Sequence, residues 1–118
     1  MNHKELDAWK KSIELVVDVY RIVSNFPIDE KYGLMSQIKR CVVFIPSNIA
    51  EGCARKSDKE LLNFLYISLG SLSELETQVV ISEKLTFVNS DTKDQLNNQM
   101  DEVGRLIMGL VRYVKNKK

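Results

Sequence analysis

The sequence predicts an all-α fold, an antiparallel up-down-up-down four-helix bundle with its second helix kinked at Pro46. Three observations lead there. Apolar residues recur at alternating steps of three and four along four segments, the spacing that lines one side of a helix. Proline, glycine or capping residues interrupt that pattern three times. No stretch alternates as a strand does, and there is no internal repeat or low-complexity segment. Connections this short make consecutive helices antiparallel neighbours. The whole chain, 1–118, reads as one domain, large enough to bury roughly two-thirds of its unfolded surface around one core.

The first helix carries Leu6, Trp9, Ile13, Val16, Tyr20 and Val23 on one side. It ends by NFPIDE, where Pro27 cannot continue the hydrogen-bond ladder and Asp29 can cap a new N-terminus. The second pattern runs Met35, Ile38, Val42, Ile45, Ile49, and Gly52 with the pair Arg55 and Lys56 marks its end. Ser57 and Glu60 have the spacing of a capping box for a third helix, striped by Leu62, Leu65, Leu69, Leu72 and Val79 and running to about Phe87. TFVNSDT is the last break, and Thr92 with Gln95 offers a second capping box. The fourth helix places Leu96, Met100, Val103, Ile107, Leu110 and Val114 on one face.

Pro46 sits inside the second pattern, where proline costs a helix about 3 kcal/mol. Two readings compete. In one, the helix stops at Ile45 and a short turn starts at Asn48, spaced to Glu51 as a cap. In the other it continues with a kink while Ser47 or Asn48 helps satisfy the freed carbonyls. Because Ile45 and Ile49 keep the same face, the apolar phase favours the kink.

The run EKYGLMSQIKR, then CVVFIPSNIAEG, then FLYISLGSLSELETQ resembles the four-helix-bundle family encoded by intervening sequences within bacterial 23S ribosomal RNA genes, labelled ribosomal protein S23. A related group comprises the accessory variability proteins of diversity-generating retroelements. Trp9, Phe26 and Pro27, Glu30, Gly33 and Leu34, Gln37, Arg40, Pro46 to Gly52, Gly70 and Ser71, and Glu74 to Gln78 carry the resemblance in order, while Cys41, Val42 and Phe44 depart from it. The resemblance implies a bundle that assembles into a homopentamer without established enzymatic activity. In the retroelement relatives the ring binds nucleic acid and a reverse transcriptase. It marks Pro46, Asn48, Glu51, Gly52 and Gly70 as scaffold positions, with Pro46 bending the helix and Gly52 releasing it.

Composition and spacing argue against catalysis. The only histidine, His3, falls in what should be a loose N-terminal tail, and Ser47 has no histidine to activate it. Glu74 and Glu76, two apart on a helix, face different directions. Glu51 with Arg40 or Arg55 reads as a structural ion pair. The five glycines are scattered and form no phosphate loop. Cys41 and Cys53 lack metal spacing and read as reduced, buried thiols of a cytoplasmic protein. No cofactor or metal site is expected. The start has no signal-peptide core, and no window is long and apolar enough to span a bilayer. A net charge of +1 gives by itself no reason to expect nucleic acid.

Two surfaces remain for partners. The second helix from Cys41 to Ile45 and the third from Leu61 to Leu69 are apolar on nearly every side, so Val43, Phe44, Leu61, Phe64 and Ile67 exceed what one core hides. Their clustering at one end of the bundle predicts a homo-oligomer interface, the number five resting on the resemblance alone. Gly70 and Ser71 in mid-helix suggest close approach of another backbone. The end that gathers the chain termini is basic, with Lys10, Lys11, Arg55, Lys56, Lys59, Arg112, Lys115, Lys117 and Lys118 as candidate nucleic-acid contacts. Asp29, Glu30, Glu83, Asp91 and Asp94 collect at the other end. The expected function is an oligomeric adaptor that binds RNA or DNA or a reverse transcriptase. The alternative is a protein-only scaffold or antitoxin-like module.

Overall fold

A computed structural model describes residues 1–117. Four helices, α1 (Asp7–Val23), α2 (Leu34–Cys53), α3 (Asp58–Lys84) and α4 (Ser90–Lys115), follow one another with single 3-10 turns at His3–Glu5 and Ile28–Glu30. Each helix packs on its neighbour in the chain and α1 closes the ring against α4, with no diagonal packing among the described residues. This is the four-helix bundle that the periodicity predicts. The rod measures 49 × 25 × 20 Å.

The helix starts are set by local chemistry, at positions the sequence located only in part. Glu30, and not Asp29, serves the start of α2, its Oε1 accepting from the Leu34 amide at 3.1 Å. Glycine at 33 leaves room for that carboxylate, since a Cβ there would lie 3.1 Å from it. Ser57 caps α3 as expected, its Oγ accepting from the Glu60 amide at 3.1 Å. The return bond differs from a full capping box: the Ser57 hydroxyl donates to Glu60 Oε1. α4 begins earlier than the Thr92–Gln95 spacing suggests. Asn89 is its cap, accepting from the Thr92 amide at 2.8 Å, because Asn89 already ends the extended segment.

The core takes the predicted face of α2, α3 and α4 with small rotations, so Leu61 is buried in place of Leu62 and Val111 in place of Leu110. α1 departs further. Its buried stripe is Ala8, Ser12, Leu15, Val19 and Val23, one residue round from the predicted one. Both stripes obey helical spacing, and the core selects the one with small residues, which let α1 sit close. Burying Ser12 costs little because its hydroxyl donates to the Trp9 carbonyl at 2.8 Å. Trp9, Ile13 and Val16 are left half-buried along a groove with Val43, Pro46 and Ala50, and Tyr20 lies exposed under the Lys39 ammonium, 5.1 Å from its ring centre.

α2 runs unbroken through Pro46, so the helix continues as the apolar phase indicated. Asn48 Nδ2 donates to the Phe44 carbonyl at 2.8 Å, and the buried Ser68 hydroxyl of α3 donates to the Ile45 carbonyl at 2.9 Å. The Cys41 thiol donates to the Ser71 carbonyl at 3.0 Å. Small residues thus bring the two backbones together. Gly52 does not release the helix: α2 continues to Cys53, with Ala54 as its cap. Its role is close packing, since a Cβ there would lie 2.9 Å from Phe64 Cβ and 3.2 Å from the Leu61 carbonyl. Gly70 reverses the expectation placed on it. It is exposed and a Cβ would meet open space, so the close approach belongs to its neighbour Ser71.

α3 ends at Lys84, short of Phe87, in a Schellman motif. The Phe87 amide donates to the Ser82 carbonyl at 2.8 Å and the Thr86 amide to Glu83 at 2.9 Å. Thr86 holds the left-handed position, φ 67°, usually given to glycine. Phe87 then meets Phe26 at 5.3 Å, and Lys93 pairs with Glu83 at 3.0 Å, closing the end opposite the termini.

Four outcomes are expected. Gly52→Ala lowers the unfolding free energy by about 1–2 kcal/mol through overpacking, whereas Gly70→Ala, with the same gain in helix propensity, raises it by up to about 1 kcal/mol; urea titration checks both. Thr86→Gly raises it by about 1 kcal/mol in the same assay through relief of the left-handed β-branched residue. Burial, followed by the negative charge of Glu74, pushes the Cys41 thiol up to about 12. The folded pKa lies above the unfolded one, so this contribution is complete below about pH 9 and is lost as pH rises toward 12. Between about pH 8 and about pH 10, wild-type stability falls more steeply than that of Cys41→Ala.

Candidate nucleic-acid interface

The antiparallel topology gathers the starts of α1 and α3 and the ends of α2 and α4 at one end. The N-terminal amine joins them, since its positive charge lowers the Cys53 thiol pKa against the larger, raising effect of burial. Asp29, Glu30, Glu83, Asp91 and Asp94 belong to the far end.

The candidate cations divide by what they touch. Lys10, Lys56, Lys59, Arg112 and Lys115 are exposed and make no ion pair among the described residues. Lys11 lies 3.6 Å from Glu14, and Lys117 reaches Asp58 of α3 at 3.4 Å. Arg55 pairs with Glu51 at 3.2 Å, choosing that partner over the Arg40 alternative for Glu51, and its guanidinium lies 4.8 Å from the centre of the Phe64 ring. Such exposed pairs are worth well under 1 kcal/mol or so each and yield readily to a phosphate. Lys118 lies outside the described residues.

The sequence reading missed a feature along the middle of the bundle. Between α3 and α4 runs a groove of about 470 Å³ whose floor includes Leu69, Leu72 and Met108 and whose wall carries Arg105 and Arg112. Arg105 and Arg112 stand seven apart on one face of α4, a spacing visible in the sequence. Without the register of α3 against α4, nothing connected them to an apolar floor.

The apolar candidates also divide. Leu61, expected in excess, is 5% exposed and belongs to the core, packed over Gly52. Val43 and Phe64 are half-buried against α1 and Gly52 respectively. Phe44 and Ile67 keep 47% and 43% of their surface exposed. Exposure is not confined to the termini end, because Ile28, Tyr32 and Leu85 crowd the other one. Arg40 and Glu74 flank a smaller hollow beside Cys41 and Phe44, and neither makes an ion pair among the described residues.

His3 is held in the first 3-10 turn, edge-on to Trp9 at 5.2 Å, and so is more ordered than a loose tail. No group of three His, Cys, Asp or Glu side chains among the described residues could hold a metal ion. No helix of the described residues is long and apolar enough to cross a membrane.

The profile of the 23S rRNA-intervening sequence protein family matches residues 4–109. No curated protein matches the chain. The chain superposes on the crystal structure of a protein of unknown function from the S23 ribosomal protein family of Bacteroides thetaiotaomicron with a TM-score of 0.78, at 22% identity, over 88% of this chain and 97% of that one. That likeness bears on the fold. The family profile spans all four helices, including the Pro46 to Gly52 segment and the α2–α3 contact it builds, and the chain therefore belongs to the 23S rRNA-intervening sequence protein family.

Proposed function

We propose that the chain is a non-enzymatic, homo-oligomeric adaptor that binds nucleic acid through the basic end of the bundle. The supporting observation is charge placement: Lys56, Lys59, Arg112 and Lys115 are exposed and unpaired among the described residues at one end, which they share with Glu5, Asp7, Glu51, Asp58 and Glu60, while Asp29, Glu30, Glu83, Asp91 and Asp94 stand at the other. A near-zero net charge conceals this dipole. Symmetric assembly repeats the basic patch in each subunit, so weak phosphate contacts add through avidity.

Self-association is supported by Phe44 of α2 and Ile67 of α3, both exposed, and by Gly70, one turn from Ile67 and from Glu74, which shares a hollow with Phe44. An exposed glycine in mid-helix costs about 1 kcal/mol relative to alanine and gains nothing inside the subunit. A second copy packed there would use the space. Five subunits, and a reverse transcriptase as protein partner, follow from the resemblance described above.

The test is binding of RNA and DNA across a range of salt, with the oligomer size followed by light scattering. Changing Lys56, Lys59, Arg112 and Lys115 together to glutamate is expected to weaken binding by at least about tenfold and to flatten its salt dependence, with size unchanged. Phe44→Glu is expected to shift the size distribution, and Tyr113→Glu to leave it. Salt-independent or absent binding by the wild type leaves the protein-only scaffold in place of this function.

A further inference from the structure

The α3–α4 groove has a chemistry that differs from the rest of the basic end. Along α3, Leu62, Tyr66, Leu69 and Ser73 recur at helical steps, and Leu69 and Ser73 line the groove. Tyr66 continues that stripe toward the termini, where it borders a second hollow of about 640 Å³ on the outer side of α3, lined also by Arg55, Lys59, Glu60, Leu62 and Phe64. Along α4, Arg105, Met108, Arg112 and Lys115 form the facing stripe. The register between the walls is fixed by Leu72, whose Cδ2 lies 3.2 Å from where a Cβ of Gly104 would be. Counting back from that contact in antiparallel sense sets Tyr66 across from Leu110, between the levels of Arg105 and Lys115.

Tyr66 is 45% exposed and makes no hydrogen bond among the described residues. Lys59 in the same hollow, and Arg105, Arg112 and Lys115 on the facing stripe, are exposed and make no ion pair among the described residues. The groove's acids, Glu76 and Asp101, lie toward the opposite end of its length, and Glu60 is the one acid in the hollow beside Tyr66. The termini half of the groove thus offers four cations, an open aromatic face and an apolar floor of Leu62, Leu69 and Met108.

We infer that this groove is a binding track for a single-stranded polynucleotide, with the backbone phosphates on Lys59, Arg105, Arg112 and Lys115 and an unstacked base on Tyr66. The inference rests on the nucleic-acid function proposed above and names its substrate. A duplex would present only phosphates, leaving the ring and the apolar floor uncovered. A single strand turns its bases out, and every base has a face that stacks on an aromatic ring without regard to sequence. Arg105, Tyr66 and Met108 are its distinctive members.

The test uses the full chain and fluorescence anisotropy with labelled probes of about 20 nucleotides: oligo(U), oligo(dT) and a mixed-sequence DNA duplex. Wild-type protein is expected to bind both single strands more tightly than the duplex. Tyr66→Ala is expected to weaken single-strand binding by about 5- to 100-fold with the salt slope unchanged, and to leave duplex binding as it was. Tyr66→Phe, which keeps the ring, is expected to retain wild-type affinity, and circular dichroism of each variant checks the fold. Tighter binding of the duplex, or Tyr66→Ala binding single strands as wild type does, overturns the groove inference while the nucleic-acid function stands. Wild-type protein that binds none of the probes in a salt-dependent way overturns both.

Discussion

The close contact between α2 and α3 is the constraint on which the rest of the bundle depends. A helix with proline in its middle has lost a backbone hydrogen bond and needs outside support. Pro46 leaves the Val42 carbonyl without its N–H partner, and α3 braces the turns on either side through the Ser68 hydroxyl on the Ile45 carbonyl and the Cys41 thiol on the Ser71 carbonyl. Each such buried bond contributes only about 1 kcal/mol, but leaving its partners unmade would cost more. Gly52 extends the contact to the end of α2, where Leu61 and Phe64 fill the space a methyl group would occupy. The segment from Pro46 to Gly52 is therefore a packing device.

Two consequences reach the surface. Because α3 sits so close to α2 on one side, its other flank meets α4 over Leu72 and Gly104, and the open groove forms beside that contact. Because α2 turns its small and buried residues toward α3, Phe44 is left exposed at the outer edge of the seam, beside Cys41 and Glu74. The proposed self-association surface and the proposed polynucleotide track thus lie on different flanks of α3. A ring built on the first would leave the second open to solvent.

The sequence made the helices legible because apolar spacing is a local property. Ser57 was legible for the same reason, as a side chain reaching an amide three residues on. What escaped was everything decided by a neighbour. Helix α1 has two adjacent apolar stripes, and only packing against Ala8 and Ser12 selects between them. Gly52 and Gly70 look alike in sequence, yet one touches Leu61 and Phe64 and the other touches nothing. Leu61 was counted as surplus because nothing local shows that Gly52 opens a place for it. The basic end was legible from topology and charge. The groove was not, because Leu69 and Arg112 are brought together only by the α3–α4 register.

Native-state hydrogen exchange tests the central claim, that the seam around Pro46 is the rigid frame of the molecule. The account predicts that amides from Ser47 to Ile49 in α2 and from Leu65 to Leu72 in α3 exchange only through global unfolding, more slowly than those of α1 and of the ends of α4. Fast exchange at Ser47 and Asn48, comparable to that of the helix ends, would mean that the proline opens a weak point which α3 does not brace, and would contradict the account.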